Sequence, residues 1–218
     1  MGRVAMFYRT TVGKKVVMAA TGGLFFLFLL GHLLGNLQIF MGAERLNAYA
    51  HLLKSLGELL WGVRAVMLIA LVLHFIAALQ LTIENWRARP VGYAMKKDIE
   101  TSYAARTMIF SGPLLLLYVI YHLMMFTLLW TDPSYSATDV YGNVVKAFQV
   151  PAISGVYIVA MPALGFHLSH GLFSMLNTLG LTSPRYHTFR KVVSPLVGFL
   201  IALGYIAIPV SVLLGLVR

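Results

Sequence analysis

The feature that most constrains this chain is the run from Val16 to Ala43, which contains no Lys, Arg, Asp or Glu. A helix needs about 20 apolar residues to cross a bilayer, so this run is long enough to span one. Four further apolar segments follow it. Together they predict an all-α integral membrane protein, a single domain over residues 1–218 with five transmembrane helices, at about residues 12–41, 57–85, 106–130, 151–179 and 194–217.

The composition agrees with a membrane protein and excludes several kinds of site. Hydrophobic residues make up 59% of the chain and charged residues 11%, whereas about a quarter of the residues in soluble domains are charged. There is no cysteine, which excludes disulfides, thiolate ligation of haem and cysteine-held iron-sulfur clusters within this chain. The basic start is similar to a signal peptide, but the apolar run after it is too long, so we expect it to be retained.

The distribution of basic residues predicts the topology. A net charge of +10 could indicate nucleic-acid binding, but the basic residues lie in short segments between the spans, so we expect no nucleic-acid partner. Twelve of the 17 Lys and Arg residues precede the first span or lie in the second and fourth connections. The positive-inside rule therefore predicts a cytoplasmic amino terminus.

Each of the first four predicted spans has a histidine in its interior: His32, His74, His122 and His167. A polar ring in hydrocarbon must be hydrogen-bonded, paired or bound to a metal, so these residues are candidates for function. One such histidine could simply bond a neighbouring helix. Four of them can hold two planar metal cofactors, with haem the obvious candidate. Gly31 and Gly35 would remove bulk beside one of them.

Two of these histidines fall at the same predicted depth on parallel spans. His32 lies 17 residues after Lys15, and His122 lies 16 residues after Arg106. At 1.5 Å per residue, both are roughly 25 Å from the inner boundary. They can therefore share one plane in the outer half of the membrane.

The other two histidines lie on spans that run in the opposite direction. His74 lies 13 residues before Arg87, and His167 lies 13 residues before Gly180. Both are about 20 Å from the inner side by the same rise, which predicts a second plane nearer the cytoplasm. A haem with imidazole on both faces has no open position, so two such centres would transfer electrons.

The remaining histidines are weaker candidates. His170 lies one turn from His167 on the same face, and depth alone does not choose between them. Together they could bind a single metal ion, but no carboxylate lies nearby in that span. His51 and His187 lie in predicted loops and are read as solvated residues.

Several stretches of the chain resemble the cytochrome b membrane-anchor subunit of succinate dehydrogenases and fumarate reductases, in its five-helix, two-haem, single-subunit form. The most specific stretches are ARTMIFSG and YHLMMFT in the third span, and NVVKAFQ before AMPALGFHLSHGLFS in the fourth. LHFIAALQLT in the second span and GHLLGNL in the first also fit. The resemblance covers nearly the whole chain.

The resemblance implies two haem b groups with four axial ligands. These ligands fall on His32, His74, His122 and His167, and the position of Gly171 selects His167 over His170. Some fumarate reductases of the family have a glutamate close before the fourth ligand. Residues 163–166 offer none, so the proton route associated with it is not expected here.

The resemblance also implies partners and a location. The family anchors a flavoprotein (FAD) subunit and an iron-sulfur subunit on the cytoplasmic side of the bacterial inner membrane. It passes electrons between succinate and a quinone, here expected to be menaquinone, near the outer haem. The complex could form a higher oligomer. Residues suited to these roles are the inner aromatic groups Tyr93, Tyr103, Tyr186 and Phe189 and the outer groups Glu44, His51 and Glu58.

Other functions are compatible with parts of the pattern. The chain could be the cytochrome b of a hydrogenase, formate dehydrogenase or nitrate reductase. A transporter with proton-relaying histidines is disfavoured, because the spans hold no intramembrane carboxylate other than Glu84, which lies near the inner end of the second span. Arg64 could either extend to the interface or bind an acidic group on a cofactor.

Overall fold

The computed structural model describes residues 2–88, 91, 95 and 101–218. It is 83% helical, and the described residues include no strand. Two 3₁₀ segments, Leu37–Met41 and Pro184–Tyr186, accompany the α-helices. These are α1 (Arg3–Arg9), α2 (Thr11–Asn36), α3 (Ala43–Ser55), α4 (Glu58–Ala88), α5 (Tyr103–Arg106), α6 (Met108–Phe126), α7 (Val140–Phe148), α8 (Pro151–Thr178) and α9 (His187–Leu213).

Five helical segments are long and apolar enough to cross a membrane, as in a multi-pass membrane protein: Thr11–Met41, Glu58–Ala88, Met108–Phe126, Pro151–Thr178 and Pro184–Leu213. They agree with the five predicted spans, so the prediction of an all-helical chain with five helices long and apolar enough to cross a membrane is confirmed. Large apolar side chains on their outer surfaces are exposed, among them Phe110 and Leu117. In water such a surface would be unfavourable, but it suits contact with lipid chains.

Several predicted boundaries differ from the structure: α4 ends at Ala88 rather than near residue 85, and α9 ends at Leu213 rather than near 217. Helix α6 ends at Phe126 rather than near residue 130, because Leu129 adopts a left-handed conformation (φ 56°) and the N–H of Trp130 donates to the Met124 carbonyl at 2.9 Å. Helix α9 begins at His187 rather than at residue 194. Its charged first turns had indicated a loop, but a helix can extend beyond the hydrocarbon layer.

Two short helices lie at the end of the bundle opposite the amino terminus, where the sequence had indicated loops; we call this the outer end and the opposite one the inner end. Helix α3 packs against α7, and the Nδ2 of Asn47 donates to Asp139 at 2.9 Å. Asp139 caps α7 by accepting from the N–H of Gly142, also at 2.9 Å. Both helices are amphipathic, and Leu46 and Phe148 contribute to an apolar cluster under them. They close the outer end of the bundle.

Helices α8 and α9 approach each other closely. A Cβ on Gly198 would lie 2.8 Å from the carbonyl oxygen of Gly165 and 2.9 Å from the backbone nitrogen of Ser169. Small residues allow the backbones of membrane helices to pack at this distance. Helix α9 therefore supports α8 from outside the histidine-bearing bundle.

The four histidine-bearing helices form a bundle that is open on one side. Helix α2 packs against α4 and α8, and α8 packs against α6. In the described residues, α4 packs closely against α2 alone, so the side between α4 and α6 is not closed. The two diagonals of this bundle join α2 to α6 and α4 to α8.

The inner end of α4 is held by the amino-terminal segment. The Nζ of Lys14 lies 2.6 Å from Oε1 of Glu84, and Lys14 is buried. The hydroxyl of Tyr8 donates to Oε1 of Gln80 at 2.9 Å. Because Glu84 is paired here, it belongs to a structural contact between α2 and α4.

Candidate functional site

Two pairs of histidines face each other across the diagonals of the bundle. The ring centroids of His32 on α2 and His122 on α6 are 5.8 Å apart, and their planes are inclined by 88°. Those of His74 on α4 and His167 on α8 are 6.3 Å apart, with planes inclined by 50°. The structure therefore brings together the two pairs that were predicted from depth. We call them the outer pair (His32 and His122) and the inner pair (His74 and His167).

Three of the four imidazoles have a hydroxyl oxygen next to Nδ1. The Nδ1 atoms of His74, His167 and His122 lie near the hydroxyls of Thr21 (2.9 Å), Ser111 (3.3 Å) and Tyr157 (3.2 Å), respectively. Two of these contacts belong to the inner pair and one to the outer pair.

Two of these hydroxyl groups can donate to other acceptors, which allows them to accept from the imidazoles. Thr21 donates to the carbonyl of Val17 at 2.7 Å, and Tyr157 donates to Sδ of Met125 at 3.7 Å. Their oxygens are then free to accept from the imidazole Nδ1–H. In the tautomer with a proton on Nδ1, Nε2 keeps a lone pair and would be available to a metal.

The ring of His32 has a different environment. It stacks on Phe28 with centroids 5.3 Å apart and lies 6.2 Å from the ring of Tyr205. The hydroxyl of Tyr205 donates to the carbonyl of Leu29 at 2.8 Å. Packing between aromatic rings therefore orients this imidazole.

The sequence analysis did not identify these hydroxyl partners, although each lies at a regular spacing from the histidine of its own helix. Along each helix, the hydroxyl residue lies 10 or 11 positions from the histidine of the other pair: Thr21 and His32, Ser111 and His122, Tyr157 and His167. At 1.5 Å per residue, this spacing separates the inner and outer levels by roughly 15 Å.

This separation corrects the sequence-based depths, which placed the two levels only about 5 Å apart. The order of the two levels is as predicted. The residues from which the depths were measured, such as Lys15 and Arg87, do not lie at one depth. Glu84, rather than Arg87, lies beside Lys14. Helix α4 therefore extends further inward than α2, and the basic residues at the ends of the helices do not mark one common depth.

The donor set fits haem better than a bare metal ion. Among the described residues, no group of three or more His, Asp and Glu side chains is arranged to hold a metal. Haem supplies its own equatorial ligands and needs two axial ones. Metal–imidazole bonds of about 2 Å on each side would separate the ring centroids by roughly 6 Å, close to the spacing in both pairs.

The glycines near the histidines have different roles from those expected. A Cβ on Gly35 would lie 2.5 Å from Cε1 of Tyr49, so this glycine admits a tyrosine of α3. The prediction that Gly35 makes room for a large ring is wrong. Gly31 faces open space, and a Cβ on Gly22 would lie 3.5 Å from Cε1 of His74.

A cavity of about 480 Å³ opens between the outer ends of α4 and α6. It begins beside the outer pair, because Phe126 lines it and the ring of Phe126 lies 5.6 Å from that of His122. Two cations, Lys54 and Arg64, line it, and none of its described lining residues is acidic. The predicted proton-exchanging groups are not among the lining residues; Glu44, His51 and Glu58 are exposed on α3 and at the start of α4.

The inner end presents part of the predicted docking surface. Tyr103, Tyr186 and Phe189 are exposed there. Arg190, read from the sequence as a loop charge, is instead buried, and it donates to the carbonyls of Tyr186 and Thr182. Tyr93, the fourth aromatic residue predicted for this face, lies outside the described residues, as do Arg89, Pro90, Lys96 and Lys97 of the same connection.

No known protein family, curated protein or solved structure matches this chain. Its function is therefore inferred from the geometry of the two histidine pairs and from the sequence pattern.

Proposed function

We propose that this chain is the di-haem cytochrome b membrane anchor of a succinate:quinone oxidoreductase, either a succinate dehydrogenase or a fumarate reductase. In this role it carries electrons between an iron-sulfur subunit and a membrane quinone. The proposal places it in the inner membrane of a bacterium as a non-catalytic subunit with respect to succinate.

The observation that carries the proposal is the pairing of four intramembrane histidines at two levels. The inner pair would hold one haem b and the outer pair the other. Each haem, when bound, supplies one-electron transfer at its iron. The two imidazoles of each pair would hold the haem from both sides and leave no position for oxygen, so the sites favour electron transfer.

The hydroxyls support this role. A histidine that binds a metal usually donates its other ring N–H to a nearby acceptor, which fixes the ring and makes the ligand more basic. Thr21, Ser111 and Tyr157 are placed to accept such bonds. Apolar residues of the surrounding helices leave all four rings partly buried.

The distribution of charge supports the proposed partners. Excess Lys and Arg at the amino-terminal end favours a cytoplasmic location for that end. The flavoprotein and iron-sulfur subunits would bind there, where Tyr103, Tyr186 and Phe189 are exposed. The quinone, proposed to be menaquinone, would exchange electrons with the outer pair.

The haem count of the purified protein tests the proposal. We expect a reduced-minus-oxidised spectrum of cytochrome b and two haems per chain by pyridine-haemochrome titration. A chain without haem would contradict it.

Partners that co-purify with the chain test the rest. An FAD-containing subunit with an iron-sulfur subunit supports the succinate:quinone role. A molybdenum or nickel subunit would instead assign the chain to a formate dehydrogenase, nitrate reductase or hydrogenase.

A further inference from the structure

Arg64 lies on α4 at the same depth as the outer pair of histidines. It precedes His74 by ten residues, or about 15 Å along the helix. The same distance separates the two levels on α2, α6 and α8. At the outer level the four helices therefore contribute His32, Arg64, His122 and Tyr157.

From its position in the bundle, Arg64 would lie beside the edge of a planar ring bound at the outer site. His32 and His122 lie across one diagonal, so they would contact the two faces of a planar ring. The other diagonal joins α4 to α8. The edges of the ring would therefore point toward these helices, where Arg64 and Tyr157 lie.

The surroundings of Arg64 lack a negative charge. Its guanidinium lies 4.9 Å from the centroid of the Trp61 ring, and in the described part of the chain it has no ion pair. It lines the cavity that begins at Phe126, beside His122. Lys54, the other cation in that cavity, already donates to the carbonyl of Ala137. Arg64 is exposed to this cavity, and a charged residue inside a membrane protein is costly unless it is paired, so an anion in the cavity would stabilise it.

We propose that Arg64 binds the carboxylate groups on the edge of the outer haem and fixes its rotation about the axis between His32 and His122. The inference rests on the proposed function. Guanidinium forms bidentate, charge-assisted hydrogen bonds with carboxylates, which suits this role. A fixed positive charge at this edge also favours the reduced iron, and it raises the midpoint potential of the outer haem above the value without Arg64.

Redox titration of the purified protein and of Arg64→Gln, Arg64→Lys and Arg45→Gln tests this inference. Arg45 is a matched control because it is exposed on α3 at the same end of the molecule. The variant His74→Ala is expected to keep only the outer haem. Its single redox transition therefore identifies that of the outer haem.

We expect Arg64→Gln to lower the outer potential and leave the inner one unchanged. Arg64→Lys should lower it less, and Arg45→Gln should change neither. Loss of the outer haem alone in Arg64→Gln, with retention in Arg64→Lys, would also support the inference. Two unchanged potentials in Arg64→Gln, with both haems retained, would overturn it while the proposed function stands. Absence of haem from the unmodified protein would overturn both.

Haem dimethyl ester, which lacks free carboxylates, distinguishes this interaction from other effects of the charge. In protein reconstituted with the ester, we expect Arg64→Gln to shift the outer potential less than it does with haem. An equal shift with both would mean that Arg64 acts on the iron by its charge alone or through another ligand in the cavity, such as a quinone, and would contradict the inference.

Discussion

The Oγ1 atom of Thr21 lies 2.9 Å from Nδ1 of His74 on the neighbouring helix. The threonine hydroxyl is itself held, because it donates to the carbonyl of Val17 one turn earlier. The backbone of α2 therefore orients an imidazole on α4. A similar contact joins Ser111 of α6 to His167 of α8, so each ring of the inner pair is oriented by a second helix.

Replacement of Thr21 by valine should weaken the inner haem site. Valine has nearly the same shape but no acceptor for the Nδ1–H of His74. Loss of such a partner usually lowers metal affinity about 10- to 100-fold, and it should raise the midpoint potential of the inner centre because the ligand becomes less basic. Haem retention during dilution and redox titration measure these effects. Thr21→Ser is the control, and an equal effect of both substitutions would argue against the hydrogen bond.

Replacement of His74 by alanine should leave one haem per chain. Replacement of His170 should leave two, because the ring that faces His74 is that of His167. Pyridine-haemochrome titration of the two variants measures the difference. An unchanged spectrum and haem count in His74→Ala would show that the ligands are assigned wrongly.

Replacement of Gly198 by alanine should destabilise the packing of α8 on α9. The added methyl group would meet backbone atoms of Gly165 and Ser169, which cannot rotate away. Overpacking of this kind costs about 1–3 kcal/mol. Gly155→Ala on α8 is the matched control, because a Cβ there meets nothing within 4 Å. Thermal unfolding in detergent should show a lower transition temperature for Gly198→Ala alone. Equal transition temperatures for the two variants would contradict the prediction.

The cap of α7 should make the stability of the outer end depend on pH. The N–H of Gly142, and then the side chain of Asn47, lower the pKa of Asp139 by bonding its ionised form. A lowered pKa in the folded state contributes stability that is present above the unfolded value of about 4 and is lost as the pH falls through the folded value.

Asp139→Ala should therefore cost about 1 kcal/mol at pH 7, and the difference from the unmodified protein should shrink at pH 3. Asp139→Asn keeps a capping side chain but cannot ionise, so its own stability should vary less with pH. Thermal unfolding at the two pH values measures both effects. A cost for Asp139→Ala that does not decrease at pH 3 would contradict the assignment.

The spans and the histidine pairs could be predicted because they depend on local properties of the sequence. The length of an apolar run determines whether it can cross a membrane, and His32 or His74 is conspicuous within such a run. The helices α3 and α7 were missed because their polar faces are typical of loops. Their apolar faces, with Leu46 and Phe148, become meaningful only when the two helices meet.

The hydroxyl partners of the histidines and the relative depths of the two pairs could not be predicted, because both depend on tertiary structure. A threonine such as Thr21 can satisfy its hydroxyl within its own helix, so its presence in an apolar run does not identify a neighbour. The depths were wrong because Arg87 and Lys15 were assumed to lie at one level. The relative shift of α4 and α2 is determined by contacts such as that between Lys14 and Glu84.

The open side between α4 and α6 has a consequence for how the protein is assembled in the cell. A flat molecule can enter sideways from the bilayer after every helix has been inserted, without unfolding the bundle. Once bound by His74 and His167, it would tie α4 to α8, which otherwise do not pack closely in the described residues. A chain that failed to acquire it would keep α4 attached mainly along α2.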